Sequence, residues 1–239
     1  MKPNLVVSLS ALPKVGKNHF SYSAPDPIKV YCFNGGALFV ASKFTGKVIE
    51  VKDYRLPIVE SSDLQWAAPI WEDFRAEYEA DLTEGKNKTY IFDTGTEIEN
   101  ICQQSVLEDQ QDTAAARGSN KQKLATTEYL ARNLRMKALF DMAKDAGVNL
   151  ISLQYLKEEW IKHEGRDRAE PTGKWIFDGW KRTESQADIN LEMKLSVDKK
   201  TRRQVSVVEI VSNRFDRDMN GQTFEDSTWD EITTVLVGE

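Results

Sequence analysis

The sequence has few residues of the kinds that build metal centres or covalent crosslinks. It contains two cysteines, Cys32 and Cys102, which stand far apart without a CxxC spacing, and two histidines. This scarcity gives no support for a zinc site or a disulfide framework. Two buried, reduced thiols suit a protein of a reducing compartment.

The sequence also lacks a long apolar run. No stretch approaches the roughly 18 consecutive apolar residues that a membrane-spanning helix requires. The N-terminal segment turns polar too soon for a signal peptide. We therefore expect a cytoplasmic protein without a membrane partner.

An excess of positive charge is absent as well. The 239 residues carry a net charge of −6, and the sequence pI is about 5.2. This balance excludes a uniformly basic surface, so any contact with nucleic acid requires a local basic patch. With 40% hydrophobic and 29% charged residues, the chain can bury a core, and we expect one domain over residues 1–239.

The most informative stretch that is present runs from Leu5 to Phe20. An apolar, β-prone run leads into a short polar loop, and a helix is expected directly after it. This is the layout of a P-loop, in which backbone N–H groups, the positive end of the helix and a lysine converge on phosphate oxygens. The residues expected to bind phosphate are Pro13, Lys14, Val15, Gly16, Lys17, Asn18 and His19.

The match to the P-loop pattern GxxxxGK[ST] departs at two positions. Ala11 stands where the pattern has its first glycine, and its Cβ disfavours a positive φ, so we expect a reshaped loop. Asn18 stands where a Ser or Thr hydroxyl normally ligates Mg²⁺, and an amide oxygen is a weaker ligand. Taken alone, this short stretch fits an ordinary strand-to-helix turn equally well.

Two later strands are expected to end in polar residues at the same edge of the sheet. Residues 88–92 form an apolar strand that ends in Asp93, as in a Walker B element, where the carboxylate holds the water shell of Mg²⁺. Residues 149–153 form a strand that finishes at Gln154, which is either a sensor of the terminal phosphate or a surface residue.

The remaining elements follow from periodicity and turn residues. The sequence predicts short strands and an inserted hairpin over residues 37–59, and a helix over 70–82 that Ser62 or Asp63 caps. Further predicted elements are a strand over 28–33, helices over 98–107 and 126–145, a β-hairpin over 187–197 and 205–212, and a short helix over 227–236.

A polar, non-aromatic segment over residues 108–123 interrupts these elements. It holds Arg117, Lys121 and Lys123 near Gly118. The segment is either a solvated loop or a loop that contacts DNA or a neighbouring subunit.

The order of these motifs resembles a known family. Five segments follow one another over roughly residues 5–195. They are PKVGKNHF, the strand ending CFNGG, YIFDTGTE, EYLARNLRMKALFDMAKDAGVNLISLQYLKEEW and PTGKWIFDGWKRTESQADINLEMK. In that order they are similar to the phage-encoded RecA-like P-loop ATPases, often labelled AAA-domain nucleotide-binding proteins, some of which assist single-strand annealing.

The resemblance implies an α/β fold and a function. The expected fold is a RecA-like P-loop NTPase core over about 4–195, with a mainly parallel central sheet and helices on both faces. An antiparallel C-terminal hairpin and a short helix follow over about 187–239. The expected function is ATP and Mg²⁺ binding in DNA recombination or single-strand annealing, in the host bacterial cytoplasm. The implied partners are further copies of the chain in a ring or filament, single-stranded DNA and a phage single-strand-binding protein.

The resemblance also assigns roles to individual residues. Lys17 is expected to bind phosphate, Asp93 to orient Mg²⁺ and Gln154 to sense the terminal phosphate. Lys181 and Arg182 occupy the place where members of the wider class present cations to a neighbour's nucleotide. The alternative for Lys181 and Arg182 is plain surface charge.

Three departures from the family pattern weaken the expectation of ATP hydrolysis. Besides Ala11 and Asn18, the tip of the second strand carries Asn34 where RecA-like enzymes place a water-activating carboxylate. An amide cannot act as a general base, and nothing in the sequence places Glu50 or Glu60 there instead. The chain is therefore either a slow ATPase, a P-loop-derived DNA-binding or assembly module without turnover, or an unrelated α/β protein with an accidental Gly-Lys pair.

Overall fold

A computed structural model of the protein describes residues 3–54, 56, 66–116, 118, 121–162, 168–198 and 200–238. The strands are Val6–Ala11 (β1), Ile28–Cys32 (β2), Ile49–Asp53 (β3), Thr89–Asp93 (β4), Asn149–Ile161 (β5), Glu170–Asp178 (β6), Ile189–Val197 (β7), Gln204–Asn213 (β8) and Thr223–Glu225 (β9). The helices are Lys17–Ser21 (α1), Ala37–Ala41 (α2), Ala67–Glu84 (α3), Gly95–Ala115 (α4), Tyr129–Ala146 (α5), Thr183–Gln186 (α6) and Trp229–Val237 (α7).

These strands form one mainly parallel sheet in the order β3-β2-β4-β5-β1-β7-β8-β9, with β6 paired to β5. Strands β1 to β5 and β7 pair in parallel, whereas β6, β8 and β9 pair antiparallel. The expected α/β fold with an antiparallel C-terminal extension is confirmed. Because the parallel strands share one direction, their carboxyl ends meet at one edge of the sheet.

Helices cover the sheet on both faces, which explains why β1, β2 and β4 are buried along their whole length. On one face, side chains such as Leu9 pack with Phe20 of α1 and Ile232 of α7. On the other face, aromatic residues such as Tyr31 pack against α3, α4 and α5 around Phe74.

The segment after β2 differs from the sequence prediction. Residues 37–41 form the short helix α2, and β3 then pairs in parallel with β2, with Ile28 opposite Ile49. The predicted hairpin over 37–59 is therefore wrong, because a short apolar run is compatible with a helix as well as with a strand. Ser62, Asp63 and Glu60 lie outside the described residues.

Helix α4 is longer than predicted and provides the cap of α3. It continues to Ala115, so the first half of the predicted polar loop is helical. Glu108, which is buried on α4, accepts hydrogen bonds from the backbone N–H groups of Trp66, Ala67 and Ala68 at 2.7–3.1 Å. These donors are unpaired at the start of any helix, so one carboxylate joins two helices. Arg117 lies outside the described residues.

Strand β5 also extends further than predicted. Its first half lies in the central sheet between β4 and β1, and its second half pairs with β6. We name the paired segments 155–161 and 170–178 the hairpin arm. The predicted C-terminal hairpin is present as β7 and β8, and the predicted short helix as α7. No described helix combines the length and the apolar character needed to cross a membrane.

We predict that Glu108→Ala lowers the free energy of unfolding by about 1–3 kcal/mol, because it leaves helix N–H groups buried without an acceptor. Urea denaturation measures this value. Glu79→Ala, which removes an exposed carboxylate from α3, is the matched control and should change stability by less than about 0.5 kcal/mol. Equal effects of the two substitutions would contradict the proposed cap.

Candidate functional site

The loop between β1 and α1 presents unpaired backbone donors. Lys14 and Gly16 have positive φ values of +66° and +113°. None of the N–H groups of residues 14–19 donates a hydrogen bond to another residue of the described chain. Successive free N–H groups in such a loop form a concave anion-binding surface. Because α1 spans only five residues, these donors matter more than the helix dipole.

Ala11 does not distort this loop as expected. It is the last residue of β1, fully buried and paired with Tyr155 of β5. The positive φ values occur instead at Lys14 and Gly16. The methyl group of Ala11 therefore meets no backbone conflict, and the expectation of a loop reshaped by Ala11 is wrong.

Lys17 folds back over its own loop. Its Nζ donates to the carbonyl oxygens of Ala11 at 3.0 Å and Leu12 at 3.4 Å, and it lies 4.6 Å from the centroid of the Tyr155 ring. The residue is only 7% exposed. This burial lowers the pKa of Lys17 from 10.5 to about 8, although the negative charge of Asp93 opposes the change.

Two asparagines enclose the carboxylate of Asp93. Asn18 Nδ2 donates to Asp93 Oδ2 at 2.8 Å, and Asn34 Nδ2 donates to Asp93 Oδ1 at 3.0 Å. We name Asn18, Asn34 and Asp93 the amide clamp. It joins the first turn of α1, the residues after β2 and the end of β4, so three segments that are distant in the chain meet at one point.

The amide clamp compensates an unfavourable burial. Asp93 has an exposed fraction of 0%, and loss of solvent raises the pKa of its carboxyl group above the ordinary value. The hydrogen bonds from Asn18 and Asn34 and the charge of Lys17 act in the opposite direction. A buried carboxylate without such donors would be strongly destabilising.

These groups surround one cavity of about 470 Å³, which we name the P-loop cavity. Asp93 is the one acidic residue in its described lining, so the cavity offers many N–H donors and few acceptors. The structure thus brings together the seven loop residues expected to bind phosphate with Asp93 and Asn34. The lining comprises residues 13–19, Asn34, Gly36, Val40, Asp93 and Tyr155.

Three expected site residues lie elsewhere. The Gln154 amide is buried beside α4, where Nε2 donates to Ser152 Oγ at 2.7 Å and Oε1 accepts from Thr96 Oγ1 at 3.1 Å. Gln154 therefore does not line the P-loop cavity. Lys181 and Arg182 are exposed just before α6 and also lie outside the cavity lining.

Sequence reasoning missed Tyr155, as well as Gly36 and Val40, among the residues of the cavity lining. The Tyr155 ring faces Lys17, and the Tyr155 hydroxyl accepts a hydrogen bond from Asn34 Nδ2 at 3.2 Å. Neighbouring side chains on a strand point to opposite faces. That alternation was the available signal, since it requires Gln154 and Tyr155 to face different sides.

The residues present do not fit a bound Mg²⁺ ion. Magnesium sites in proteins usually combine one or two carboxylates with waters and substrate phosphates. Here the single carboxylate is fully buried, and each of its oxygens already accepts an amide hydrogen. Asn18, expected as a ligand, turns its amide nitrogen toward Asp93. No cluster of three or more His, Cys, Asp or Glu side chains suited to a metal occurs in the described chain.

Comparison with known proteins supports the fold. The chain is similar to the crystal structure of the KaiC-like protein PH0186 from Pyrococcus horikoshii OT3, with a TM-score of 0.51 and 13% sequence identity. The match covers 93% of this chain and 85% of that one. No protein-family profile and no curated protein sequence matches. Together with the sheet order and the loop after β1, this similarity shows a RecA-like P-loop fold.

We predict that the Lys17 ammonium group titrates near pH 8, which NMR of the lysine side chains can measure. The positive charge is then present at pH 7 and is lost as the pH rises through about 8. Because the charge of Asp93 raises this pKa, Asp93→Asn should lower it further. A titration midpoint near the ordinary value of 10.5 would show that Lys17 is solvated.

Proposed function

We propose that the protein binds ATP, with the phosphates in the P-loop cavity. The observation that carries this proposal is the set of free N–H groups of residues 14–19 beside the ammonium group of Lys17. Both kinds of donor match phosphate oxygens, which are strong acceptors. Binding replaces the carbonyl oxygens of Ala11 and Leu12 as partners of Lys17.

Hydrolysis by this site is weak or absent in our proposal. The attack of water on a phosphate needs a group that orients or deprotonates the water. Asp93 is the single carboxylate of the described cavity lining, and its oxygens are engaged by Asn18 and Asn34. In this proposal the chain binds the nucleotide and hydrolyses it slowly or not at all.

We further propose that the nucleotide-bound protein acts on single-stranded DNA in recombination or annealing, together with further copies of the chain and a single-strand-binding protein. The supporting observation is the hairpin arm, where Trp160 and Trp175 are 58% and 52% exposed. Bases of single strands stack on such rings. Lys162, Arg168 and Lys174 lie on or beside the same strands.

The predicted basic loop before α5, which carries Arg117, Lys121 and Lys123, supports DNA binding less well than the hairpin arm does. Lys121 forms an ion pair with Glu128, and Arg135 of α5 forms one with Asp109 of α4. Paired cations attract phosphate less strongly than free ones. Among the three basic residues of the loop, Lys123 is exposed and has no ion pair with a described residue. Arg117 lies outside the described residues.

In a second candidate function, the protein does not hydrolyse ATP and serves as a module for DNA binding or assembly. The amide clamp favours it, because the clamp stabilises the loop without any ligand. In this alternative Lys181 and Arg182, which are exposed, contact a neighbouring copy rather than a nucleotide. ATP binding separates the two functions.

We predict that Lys17→Ala weakens ATP binding by about 100-fold or more, since it removes a charged donor to phosphate. Isothermal titration calorimetry measures the affinity. Lys43→Ala, which removes an exposed lysine outside the cavity, is the control and should bind as the parent does. If the Lys17 variant binds ATP as tightly as the parent does, the proposal that the P-loop cavity binds the phosphates is wrong.

We predict that the parent binds ATP with similar affinity in Mg²⁺ and in a chelator, and hydrolyses it more slowly than about 1 s⁻¹. Asn18→Thr supplies a hydroxyl and frees Asp93 Oδ2, so this variant should gain both metal dependence and turnover. Asn18→Ala removes the amide without adding a ligand and is the matched control. Fast, Mg²⁺-dependent turnover by the parent would contradict the role given to the clamp.

We predict that the double substitution Trp160→Ala and Trp175→Ala weakens binding of an oligothymidine by about tenfold or more, because stacking is worth about 1–3 kcal/mol per base. Fluorescence anisotropy measures the affinity. The matched double Phe variant retains the rings and should retain binding.

The same assay tests the basic loop. Each phosphate contact to a single strand contributes about 0.7 to the slope of log affinity against log salt. Replacing Arg117, Lys121 and Lys123 with alanine should reduce that slope if the loop contributes. If neither the Trp variant nor the loop variant differs from the parent, both surfaces are excluded as DNA sites.

A further inference from the structure

The contacts of the Lys17 side chain suit a neutral amine. Its Nζ donates to two carbonyl oxygens, those of Ala11 at 3.0 Å and Leu12 at 3.4 Å. Both acceptors are uncharged, and a neutral amine has two N–H groups and one lone pair. The two carbonyl oxygens can therefore accept both hydrogens of the amine, and the lone pair stays free to attack an electrophile.

The surroundings of Lys17 favour the same neutral form. The residue is 7% exposed, and the Tyr155 ring lies 4.6 Å from its Nζ. Loss of solvent lowers the pKa of Lys17 to about 8, against the opposing charge of Asp93. At pH 8 about half of the Lys17 side chains are then neutral, compared with less than about 1% for a solvated lysine. Desolvation of this kind makes a lysine nucleophilic.

A phosphate anchor lies directly beside this amine. The free N–H groups of residues 14–19 belong to the P-loop cavity, which Lys17 also lines. A volume of about 470 Å³ admits a small phosphorylated molecule. A group bonded to a phosphate that these N–H groups hold is therefore presented to Nζ at high effective concentration.

We propose that Lys17 is acylated by small acyl phosphates, an inference that rests on the proposed binding of phosphate in the P-loop cavity. An acyl phosphate joins the anion that the loop binds to an activated carbonyl carbon. The amine lone pair attacks this carbon, a C–N bond forms, and the bond from the carbon to the bridging oxygen breaks. Inorganic phosphate leaves with the proton that the nitrogen loses, so the reaction needs no further reactant.

Acylation changes what the cavity can bind. The amide product carries no positive charge and keeps only one N–H donor, so Lys17 no longer attracts phosphate. The acylated chain should bind ATP about 100-fold more weakly than the unmodified chain, as expected for Lys17→Ala. Bound ATP occupies the same cavity and protects Lys17 from the reaction. Acyl phosphates and ATP thus compete for one site.

Incubation of the full chain with acetyl phosphate at pH 8 tests this proposal, and peptide mass spectrometry measures the acetylation rate at each lysine. Lys17 should react at least about tenfold faster than Lys43, which is exposed outside the cavity. Lys14 lines the same cavity but is exposed, so it is the matched control and should react more slowly than Lys17. Equal rates at Lys17 and Lys43 would overturn the proposal.

Two further reactions show whether the phosphate guides the reagent. Acetic anhydride transfers the same acetyl group without a phosphate, so the ratio of the Lys17 rate to the Lys43 rate should be at least about tenfold lower than with acetyl phosphate. Inorganic tripolyphosphate should slow acetylation of Lys17 by acetyl phosphate and leave Lys43 unaffected. An equal ratio for both reagents, or no protection by tripolyphosphate, would contradict the phosphate anchor.

Calorimetry with ATP and tripolyphosphate distinguishes this inference from the proposed function. If both ligands bind but acetyl phosphate leaves Lys17 unmodified, the acylation site is wrong and the P-loop proposal stands. If Lys17 is acetylated but neither ligand binds or protects it, both proposals are wrong. An acetylated chain with the ATP affinity of the unmodified chain would overturn the competition between acyl phosphates and ATP.

Discussion

The hydrogen bonds between Asp93 and the two asparagines are the interaction on which the site depends. A carboxylate with no exposure to solvent is stable only when donors surround it, and Asn18 and Asn34 supply one donor to each oxygen. Because Asn18 belongs to the first turn of α1 and Asn34 follows β2, their amides fix both segments relative to β4. The position of Lys17 follows from that arrangement.

The sheet order makes this meeting possible. Strand β1 lies between β5 and β7, and β4 lies between β2 and β5. Asn34 after β2, Asp93 at the end of β4 and Tyr155 in the middle of β5 therefore converge on the loop. The same order places the β7–β8 hairpin against Gly16. A RecA-like fold therefore places the P-loop cavity beside this loop, where the amides of Asn18 and Asn34 donate to Asp93.

Much of the fold was accessible from the sequence, because the buried strands β1, β2 and β4 are short, mostly apolar and β-prone runs and the β7–β8 hairpin alternates around a polar turn. The length of β5 could not be predicted from the sequence, because Lys157, Glu158 and Glu159 are polar. They gain their strand conformation from the pairing of β5 with β6. In the site, the sequence pointed to the loop residues and to Asp93. It did not show that Asn18 and Asn34 share one partner, because residues that are distant in the chain become neighbours only through the sheet order.

The most direct test of the central claim is hydrogen exchange of the side-chain amides of Asn18 and Asn34, measured by NMR with ATP and Mg²⁺ bound and assigned with single serine substitutions. If the amide clamp stands in place of a metal, both amides remain protected in the complex relative to the exposed amide of Asn220. If ATP and Mg²⁺ release the two amides so that they exchange as fast as Asn220, the metal displaces the clamp and the account is wrong.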